Sequence, residues 1–548
     1  MTRKLTLSLI MCLLTVMLQA QTVNFGESIS RKHDFVGTIL GESEDHIILY
    51  NQVKGGDDPD HQIVVLDRKN GYTEVTTITE PAYHPDYKEQ KLISALFSDS
   101  KLFTIYKAYH KTEKAAYALA REHNPATGEP LGEPIQLIQP GLKMKKLSGL
   151  EVTAVSSPNG QHTIVKARNA SEDAPLAPEE AMFMTSKTKD YSVAHFDQNL
   201  NLISQLKGVS LPMGPQFVTN EGNLFWYQIS QLSGKEMKIA NASNEFRIET
   251  SKFPNVEGLK DGYLFERPYG SSLSDDGLYL TVKPGVGEFT NEQNRTLKAC
   301  GIEITDINSG TVLLNQAVDI SQKSQLEMNE GFIKPEDFLG LFQEFAVEKA
   351  EFTSDDGFLA VISCQEFGNK GMVRFGRPTP NHFFFGNSYV VKFNSDFDIE
   401  WTTEIAKEQY FDLQVTETAT NSTAVNGWSM PSGAKKNNLA YQIQPFFGTN
   451  SEIIDNDLYV FHYKSNGAKK QGRFNYLSQD ALLKLKNAVL VVTKVDLNTG
   501  DSQTKEISID SSEGLPTLNN LYLSKIDNNL LTISYVGSSY RMTEIVVE

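Results

Sequence analysis

A short turn motif recurs along the chain and restricts its fold more than any other feature. Each copy has an apolar run, a tight turn containing Asp, Asn or Gly, and a second apolar run. Asp and Asn hydrogen-bond to their own backbone and Gly accepts a positive φ, so this motif predicts a two-stranded hairpin. The clearest copies span residues 154–165, 272–282 and 352–362, and weaker copies span residues 41–49, 97–105, 219–227, 454–461 and 526–533.

In chain order, a second hairpin pattern follows each of the first seven of these eight copies. Two successive hairpins give a four-stranded antiparallel sheet, and radial repetition of that sheet gives the blades of a β-propeller. The last unit lacks an outer strand, which residues 23–29 are expected to supply. The sequence therefore predicts an all-β fold: a single β-propeller of four-stranded blades, closed by N- and C-terminal strands. Eight blades are favoured, and seven remain open.

Long insertions are expected between the strands, because a compact blade needs only about 40 to 45 residues and the chain has 548. If the strands of a blade are labelled a to d from the axis outwards, the b–c and d–a connections open on one face. Loops longer than about 12 to 15 residues are usually functional, so this face is predicted to bind the ligand or partner. The insertions at 168–190, 319–348, 367–387, 406–451 and 464–487 all fall in these connections.

Two of these insertions carry helical spacing. Pro335 and the acidic residues beside it precede Phe338, Leu341, Phe342 and Phe345, which predicts a short amphipathic helix. A second helix is predicted over residues 478–485. Both are expected to cover apolar surface of the blades or to form a ridge that contacts a partner.

The first 20 residues predict a cleaved export signal. Arg3 and Lys4 precede an apolar run over residues 5–18, and Ala20 is a small residue at the expected cleavage position. The apolar run is shorter than the ~20 residues that span a bilayer, so we expect cleavage and not anchoring. The mature chain, residues 21–548, is predicted to be periplasmic or extracellular at the cell surface, with no transmembrane segment.

The charge of the chain narrows the class of partner. Lys and Arg number 51 against 68 Asp and Glu, which gives a net charge of −17. A net negative charge of this size repels phosphate backbones, so we expect that the protein does not bind nucleic acid. The favoured partner is another envelope or extracellular protein, or a glycan. The sequence has no H-E-x-x-H, Cys-x-x-Cys or G-x-S-x-G motif, so no metal, cofactor or catalytic residue is predicted.

The insertion at 367–387 is unusual because basic and aromatic residues cluster there in an acidic protein. Arginine forks bind carboxylates, and aromatic faces stack on sugars. The alternative is that the Phe residues fasten the loop to a neighbouring blade, and a packed anchor is likewise the alternative for a Trp in the 406–451 insertion. The predicted binding residues are Arg374, Arg377, His382, Phe383, Phe384, Phe385 and Trp428.

Two cysteines remain after removal of the signal. Cys300 and Cys364 could form a single disulfide in an oxidising compartment, or they could be two buried thiols that pack as small apolar groups. A chain of this size has core enough to fold without a disulfide framework.

The turns Ser157-Pro158-Asn159-Gly160 and Ser354-Asp355-Asp356-Gly357 resemble the S-P-D-G turn of TolB-like and related bacterial WD40-like propellers. The resemblance implies the propeller fold and says little of function. We predict a secreted, non-catalytic propeller that binds a protein or ligand, or acts as a scaffold, through its long-loop face. The alternative is a glycan- or peptide-processing hydrolase or lyase with its site over the central channel.

Overall fold

The fold is given by a computed structural model of the chain. It describes residues 22–30, 35–53, 60–79, 84–98, 100–139, 141–157, 159–170, 188–212, 216–230, 234–241, 247–252, 270–273, 278–286, 297–306, 311–318, 340–369, 373–374, 377–378, 382–407, 409–412, 421–425, 428–432, 449–465, 470–471, 474–475, 488–510, 512–518, 521–536 and 539–547. The predicted signal and the predicted helix at 478–485 lie outside these residues.

The first half of the chain contributes four sheets, numbered here in chain order. Two strands precede them, β1 (Thr22–Phe25) and β2 (Ile29–Ser30). Sheet 1 contains β3 (Phe35–Glu42), β4 (His46–Val53), β5 (Asp60–Asp67) and β6 (Thr73–Ile78). Sheet 2 contains β7 (Tyr87–Ser98), β8 (Lys101–His110), β9 (Ala115–His123), β10 (Pro130–Gln136) and β11 (Leu142–Lys143), followed by a 3-10 turn at Leu147–Gly149. Sheet 3 contains β12 (Leu150–Ser156), β13 (His162–Asn169), β14 (Thr188–Asp197) and β15 (Leu202–Pro212). Sheet 4 contains β16 (Gln216–Val218), β17 (Leu224–Ser230), β18 (Gly234–Asn241) and β19 (Arg247–Lys252).

The second half contributes four more sheets and three small hairpins. Sheet 5 contains β20 (Gly270–Leu273), β21 (Leu278–Val286), β22 (Leu297–Asp306) and β23 (Thr311–Val318). Sheet 6 contains β24 (Gly340–Phe352), β25 (Phe358–Asn369), β28 (His382–Phe393), β29 (Ile399–Ile405) and β30 (Gln409–Asp412). Sheet 7 contains β33 (Asn450–Ile454), β34 (Asp457–Ser465), β37 (Ala488–Asp496) and β38 (Ser502–Ser508). Sheet 8 contains β39 (Leu515–Pro516), β40 (Tyr522–Leu523), β41 (Leu530–Val536) and β42 (Ser539–Val546), with β1 and β2. The hairpins are β26 (Val373–Arg374) with β27 (Arg377–Pro378), β31 (Asn421–Val425) with β32 (Trp428–Ser432), and β35 (Lys470–Gln471) with β36 (Phe474–Asn475).

Within sheets 1 to 7 the four main strands pair in chain order and antiparallel, as β12-β13-β14-β15 do in sheet 3. In the sheets whose burial is described, the second strand is buried along most of its length, and seven consecutive residues of β8 are buried. The fourth strand of these sheets is more exposed, and β38 has no buried residue. This gradient places the first strands inside and the fourth at the rim, which is the blade organisation of a β-propeller. The predicted all-β fold of four-stranded sheets is confirmed.

Successive sheets pack face to face through apolar clusters. Phe103 of sheet 2 lies in one cluster with Val165 of sheet 3, and Ile47 of sheet 1 lies in another with Ile533 of sheet 8. Similar clusters join sheets 1 and 2, 3 and 4, 5 and 6, 6 and 7, and 7 and 8. The N-terminal strand β1 pairs antiparallel with the C-terminal strand β42.

The predicted helix over residues 338–345 is wrong for its described part, because Leu341, Phe342 and Phe345 lie in strand β24. Phe342 is opposite Phe367 and Phe345 is opposite Cys364 in the neighbouring strand β25. The spacing of these apolar residues fits a helix, but a 12-residue partner strand pairs with the segment along its length. Sheet pairing therefore outweighs the local helical pattern.

The Ser-Asp-Asp-Gly turn of sheet 6 shows why this motif suits a blade. The Asp355 carboxylate accepts hydrogen bonds from Thr353 Oγ1 at 2.5 Å and from the Gly357 backbone N–H at 3.2 Å. The fully buried Lys392 donates to both Asp355 oxygens, at 2.9 and 2.7 Å, and to Glu400 at 3.3 Å. The hydrogen bonds from Lys392 and Thr353 lower the pKa of Asp355 to about 2. The motif thus closes the turn and ties it to the third and fourth strands.

Candidate functional site

Sheet 6 differs from the other sheets by its length at one end. Strands β24, β25 and β28 have 13, 12 and 12 residues, and β30 adds a fifth strand beside β28. The hairpin β26–β27 lies between the second and third strands of sheet 6, and β35–β36 lies between those of sheet 7. The hairpin β31–β32 lies in the connection between the two sheets. Antiparallel strands alternate in direction, so all three connections leave from the same end of the sheets.

The structure places four of the predicted binding residues, His382 to Phe385, in strand β28. Phe383 is opposite Phe367 on one side and Phe411 on the other, so this strand has neighbours on both edges. The Phe385 side chain is buried, at 2% exposure, and packs within the protein. The side chains of His382, Phe383 and Phe384 lie outside the described residues.

The other predicted residues lie in separate elements. Arg374 and Arg377 are opposite each other in the β26–β27 hairpin, and Trp428 is opposite Val425 in the β31–β32 hairpin. The structure therefore does not bring these residues into one sheet with His382–Phe385. Cys300 lies in β22 of sheet 5 and Cys364 in β25 of sheet 6, and their side chains are outside the described part.

A buried polar cluster, here called the root, lies where the 406–451 insertion leaves sheet 6 and rejoins sheet 7. Lys407 and Thr449 stand at the two ends of the insertion, and Lys407 Nζ donates a hydrogen bond to Thr449 Oγ1. The hydroxyl of Ser388 hydrogen-bonds to those of Ser363 and Thr449 at 2.8 and 2.9 Å. Lys407 is 2% exposed and both serines are fully buried. The root, made of Lys407, Thr449, Ser363 and Ser388, holds the two ends of the insertion together.

Two ionisable groups border the root. Glu348 lies at a register shift of β24, and its Oε1 is buried with no hydrogen-bond partner among the described residues. Burial raises the pKa of Glu348, while the charge of Lys407 and a hydrogen bond from Ser363 lower it in part. Burial, together with Lys407 and Lys464, lowers the pKa of His462 to about 3. A neutral imidazole and a carboxyl group whose pKa is lowered in part by Lys407 therefore border the root.

Further hydrogen bonds tie the root to three sheets. The backbone N–H of Lys407 donates to Asn387 Oδ1 at 3.1 Å in sheet 6. Gln409 Nε2 donates to the Tyr463 carbonyl of sheet 7 at 2.8 Å, and Tyr463 Oη donates to the Pro516 carbonyl of sheet 8 at 2.7 Å. The insertion thus leaves from a rigid, buried base.

The chemistry of the root is structural. Ser363 Oγ lies 3.5 Å from Lys407 Nζ, a pairing of hydroxyl and amine that nucleophilic catalysts use. However, both groups are buried, so a substrate has no route to the hydroxyl. Sequence reasoning missed the root because its members lie up to 86 positions apart and none carries a motif.

The opposite face carries a surface cleft of about 590 Å³ between sheets 1 and 8. Two cations line it. Arg68 is bound by Glu42 and Asp527, Arg68 Nη2 donates to Ser524 Oγ at 2.9 Å, and Lys69 is bound by Asp45. The guanidinium is thus neutralised within the protein. In the part of the chain that the structure describes, no group of three or more His, Cys, Asp or Glu side chains is placed to hold a metal ion. Over the same residues, no helix is long and apolar enough to cross a membrane.

Comparison with known proteins found solved structures of low similarity. The WD40 domain of SCAP from fission yeast is 8% identical, with a TM-score of 0.39, over 96% of this chain and 98% of that one. Sqt1 from Chaetomium thermophilum is 10% identical, with a TM-score of 0.39, over 94% of this chain and 97% of Sqt1. The β-propeller domain of the trilobed protease from Pyrococcus furiosus is 9% identical, with a TM-score of 0.30, over 69% of this chain and 96% of that domain. The sequence matches no protein-family profile and no curated protein. The fold follows from the strand order and the packing of the sheets.

Proposed function

We propose that the chain is an exported, non-catalytic propeller of eight blades that binds a partner protein through the insertions at one end of sheets 6 and 7. The observation that carries this proposal is the root. A connection of some forty residues is free to drift unless its ends are fixed, and fixing them is entropically costly. The protein fixes them with a buried lysine and three hydroxyls, which hold the two ends of the insertion together.

Closure into a ring is part of this proposal. Pairing of β1 with β42 joins the two ends of the chain in sheet 8. Sheet 8 packs against sheet 1 through Met542 and Ile47 and against sheet 7 through Leu530 and Leu490. Each of these contacts supports an eight-bladed ring in which the N-terminal strand completes the last blade.

Export to the periplasm or the cell surface is proposed from the N-terminal sequence, where Arg3, Lys4 and an apolar run precede Ala20. An acidic surface with a chain charge of −17 favours protein partners over nucleic acid. The turns of sheets 3 and 6 resemble those of TolB-like propellers, which supports a bacterial envelope protein. A glycan partner is the second outcome that the experiment below distinguishes.

The test is in-cell cross-linking followed by mass spectrometry. One variant has residues 413–448 replaced by a short Gly-Ser linker, which leaves the root intact. The matched control is Asn498→Ala with Thr499→Ala, two exposed residues in the third-to-fourth-strand turn of sheet 7 at the opposite end. We expect cross-links from Lys435, Lys436, Lys469 or Lys470 to one recurrent protein in the wild type and in the control. In the linker variant, which lacks Lys435 and Lys436, we expect Lys469 and Lys470 to lose that partner.

Two results would contradict the proposal. Retention of the same partner by the linker variant would place the interface elsewhere. Capture of no protein by the wild type would remove the partner-protein proposal and direct the work to glycan arrays and to hydrolase substrates, with carboxylates over the central channel as the first residues to substitute.

A further inference from the structure

A pocket of about 170 Å³ lies between sheets 1, 2 and 3. Its walls come from the ends of β3, β7 and β12, the starts of β8 and β13, and the turn after β14. In antiparallel sheets these positions share one end, which is the end opposite the insertions. The pocket is therefore separate from the face on which the proposed function rests. Phe97 and Gln198 are only partly buried, so the pocket reaches the surface.

Sheets 1 and 2 supply an apolar wall. It consists of Leu40, Ala95, Leu96, Phe97 and Phe103, with Ser98 at its edge. Phe103 and Ala95 are 3% exposed and belong to the core clusters of these sheets, whereas Leu40 and Phe97 are partly exposed. Apolar surface therefore continues from the core into the pocket, and two phenyl rings line it.

Sheet 3 supplies a mainly polar wall, in which Ser156 and Thr163 form a pair of hydroxyls. Ser156 Oγ and Thr163 Oγ1 hydrogen-bond to each other at 3.0 Å. Two hydroxyls offer two donors and four lone pairs, and their mutual bond uses one of each. Gln198 adds a side-chain amide to the same wall. Among the described residues that line the pocket, none has a charged side chain.

Hydrogen bonds between sheets 2 and 3 fix the spacing of the two walls. Ser98 Oγ donates to the Gly160 carbonyl at 3.2 Å, and Lys101 Nζ donates to Asn199 Oδ1 at 2.5 Å. A Cβ at Gly160 would lie 2.6 Å from Ser98 Oγ, so this approach requires glycine. The walls do not have to be ordered by a ligand, which lowers the entropic cost of binding.

We propose that this pocket binds a small uncharged aromatic molecule with one hydroxyl group, of the size of phenol. A cavity of about 150 Å³ holds benzene, so a pocket of about 170 Å³ holds one ring with one small substituent. It is smaller than the roughly 300 to 1,000 Å³ of sites for larger ligands.

The two walls determine the chemistry of this ligand. Its ring packs beside Phe97 and Phe103, because aromatic rings favour offset and edge-to-face contacts. Its hydroxyl bonds to the pair formed by Ser156 and Thr163. Water satisfies only the polar wall, so a molecule with both surfaces replaces it favourably. A charged ligand is excluded, because none of these lining residues compensates the loss of its hydration.

The experiment titrates the purified protein with para-fluorophenol and measures Kd from the broadening of its fluorine NMR signal. Two matched probes are fluorobenzene, which lacks the hydroxyl, and para-fluorobenzoate, which is charged. We expect saturable binding of para-fluorophenol. Fluorobenzene should bind about threefold to tenfold more weakly, which corresponds to the loss of one net hydrogen bond. Para-fluorobenzoate should not bind.

Two variants locate the ligand. Ser156→Ala with Thr163→Val removes both hydroxyls and keeps the space, so the affinity for para-fluorophenol should fall to that for fluorobenzene. Ser156→Leu fills the pocket and should abolish binding of both probes. The matched control is Thr493→Val with Thr504→Val, which removes a hydroxyl pair at 3.1 Å in sheet 7 and should change neither Kd. Near-ultraviolet circular dichroism establishes folding, and the double variant keeps the test valid if Ser156→Leu unfolds.

Four results would overturn the site. They are no saturable binding of para-fluorophenol to the wild type, equal affinity for para-fluorobenzoate, an unchanged Kd in both pocket variants, and tighter binding of N-acetyltyrosine amide than of para-fluorophenol. The last result would assign the pocket to a tyrosine side chain of a partner protein.

Discussion

Removal of the Lys407 charge should destabilise the protein far more than an ordinary surface change. In Lys407→Met a side chain of similar length fills the same space, but Thr449 and Ser363 lose their donor. The Glu348 carboxyl also loses the charge of Lys407, which lowers its pKa. Leaving a buried polar group without its hydrogen-bond partner costs about 1 to 3 kcal/mol, and more for a charged group, so the loss of the Lys407 ammonium should cost about 3 to 5 kcal/mol in all.

This cost can be converted into a shift of the melting temperature. Unfolding entropy is about 2 cal/mol/K per residue, which gives about 1 kcal/mol/K for a chain of this length. The expected decrease in Tm is therefore about 3 to 5 °C for Lys407→Met. The double variant Lys407→Met with Glu348→Gln leaves no uncompensated charge, so its Tm should recover to within about 2 °C of the wild type.

The pH dependence follows from Glu348. Its pKa is raised in the folded protein, so the folded state holds the proton more tightly than the unfolded chain does. The free energy of unfolding therefore falls as pH rises above the pKa that Glu348 has in the unfolded chain. Loss of Lys407 raises this pKa further. The decrease in Tm caused by Lys407→Met should therefore be larger at about pH 8 than at about pH 5. In the double variant, the decrease in Tm should be no larger at pH 8 than at pH 5.

The assay is differential scanning calorimetry of the wild type, both single variants and the double variant at one scan rate and two pH values. A Lys407→Met variant with the same Tm as the wild type would contradict this prediction. It would also be refuted by a double variant whose Tm loss equals or exceeds the sum of the two single losses.

Two further predictions concern acid stability. His462 has a folded pKa of about 3, so unfolding takes up a proton at the imidazole below about pH 6.5. The wild type should therefore lose about 1.6 kcal/mol of stability between pH 6.5 and pH 5 from this group. His462→Phe should lose less over that interval in urea titrations. Asp355 has a pKa lowered to about 2 by Lys392 and Thr353, so its stabilisation is present above its unfolded pKa and is lost as pH falls towards 2. Lys392→Met should therefore be less stable than the wild type at neutral pH, and the difference in Tm should shrink between about pH 4 and pH 2; a constant difference would contradict this.

The fold could be predicted from sequence wherever local chemistry determines it. The turns at Ser157–Gly160 and Ser354–Gly357 hold themselves together by Asp or Asn side chains bonded to nearby backbone, as Asp355 does with Gly357. The segment around Phe342 and Phe345 was not predictable in this way, because its pairing with β25 depends on a strand whose register is set by the rest of sheet 6.

The root, and the contact of Lys166 with the Tyr191 ring, depend on distances that sequence spacing does not predict. Lys407 and Thr449 meet only because the chain rejoins sheet 7 beside the place where it leaves sheet 6. Lys166 and Tyr191 meet across an insertion between neighbouring strands. An isolated lysine in a strand gives no signal of whether it is buried, so the sequence alone predicts neither contact.

The proposed closure of the sheets into a ring can be tested directly with one pair of cysteines. Asn24 and Glu544 are opposite each other in β1 and β42, and their side chains hydrogen-bond at 3.3 Å. Opposed residues of antiparallel strands lie within reach of a disulfide. Asn24→Cys with Glu544→Cys should form that bond on oxidation, seen by peptide mass spectrometry, and should raise Tm by about 4 °C.

The matched control is Asn24→Cys with Arg541→Cys, three positions out of register and about 10 Å away, which should remain reduced. A disulfide in the Glu544 pair and none in the control is the result that a closed ring predicts. No disulfide in the Glu544 pair, or equal disulfide formation in both, would contradict closure by β1 and with it the eight-bladed ring.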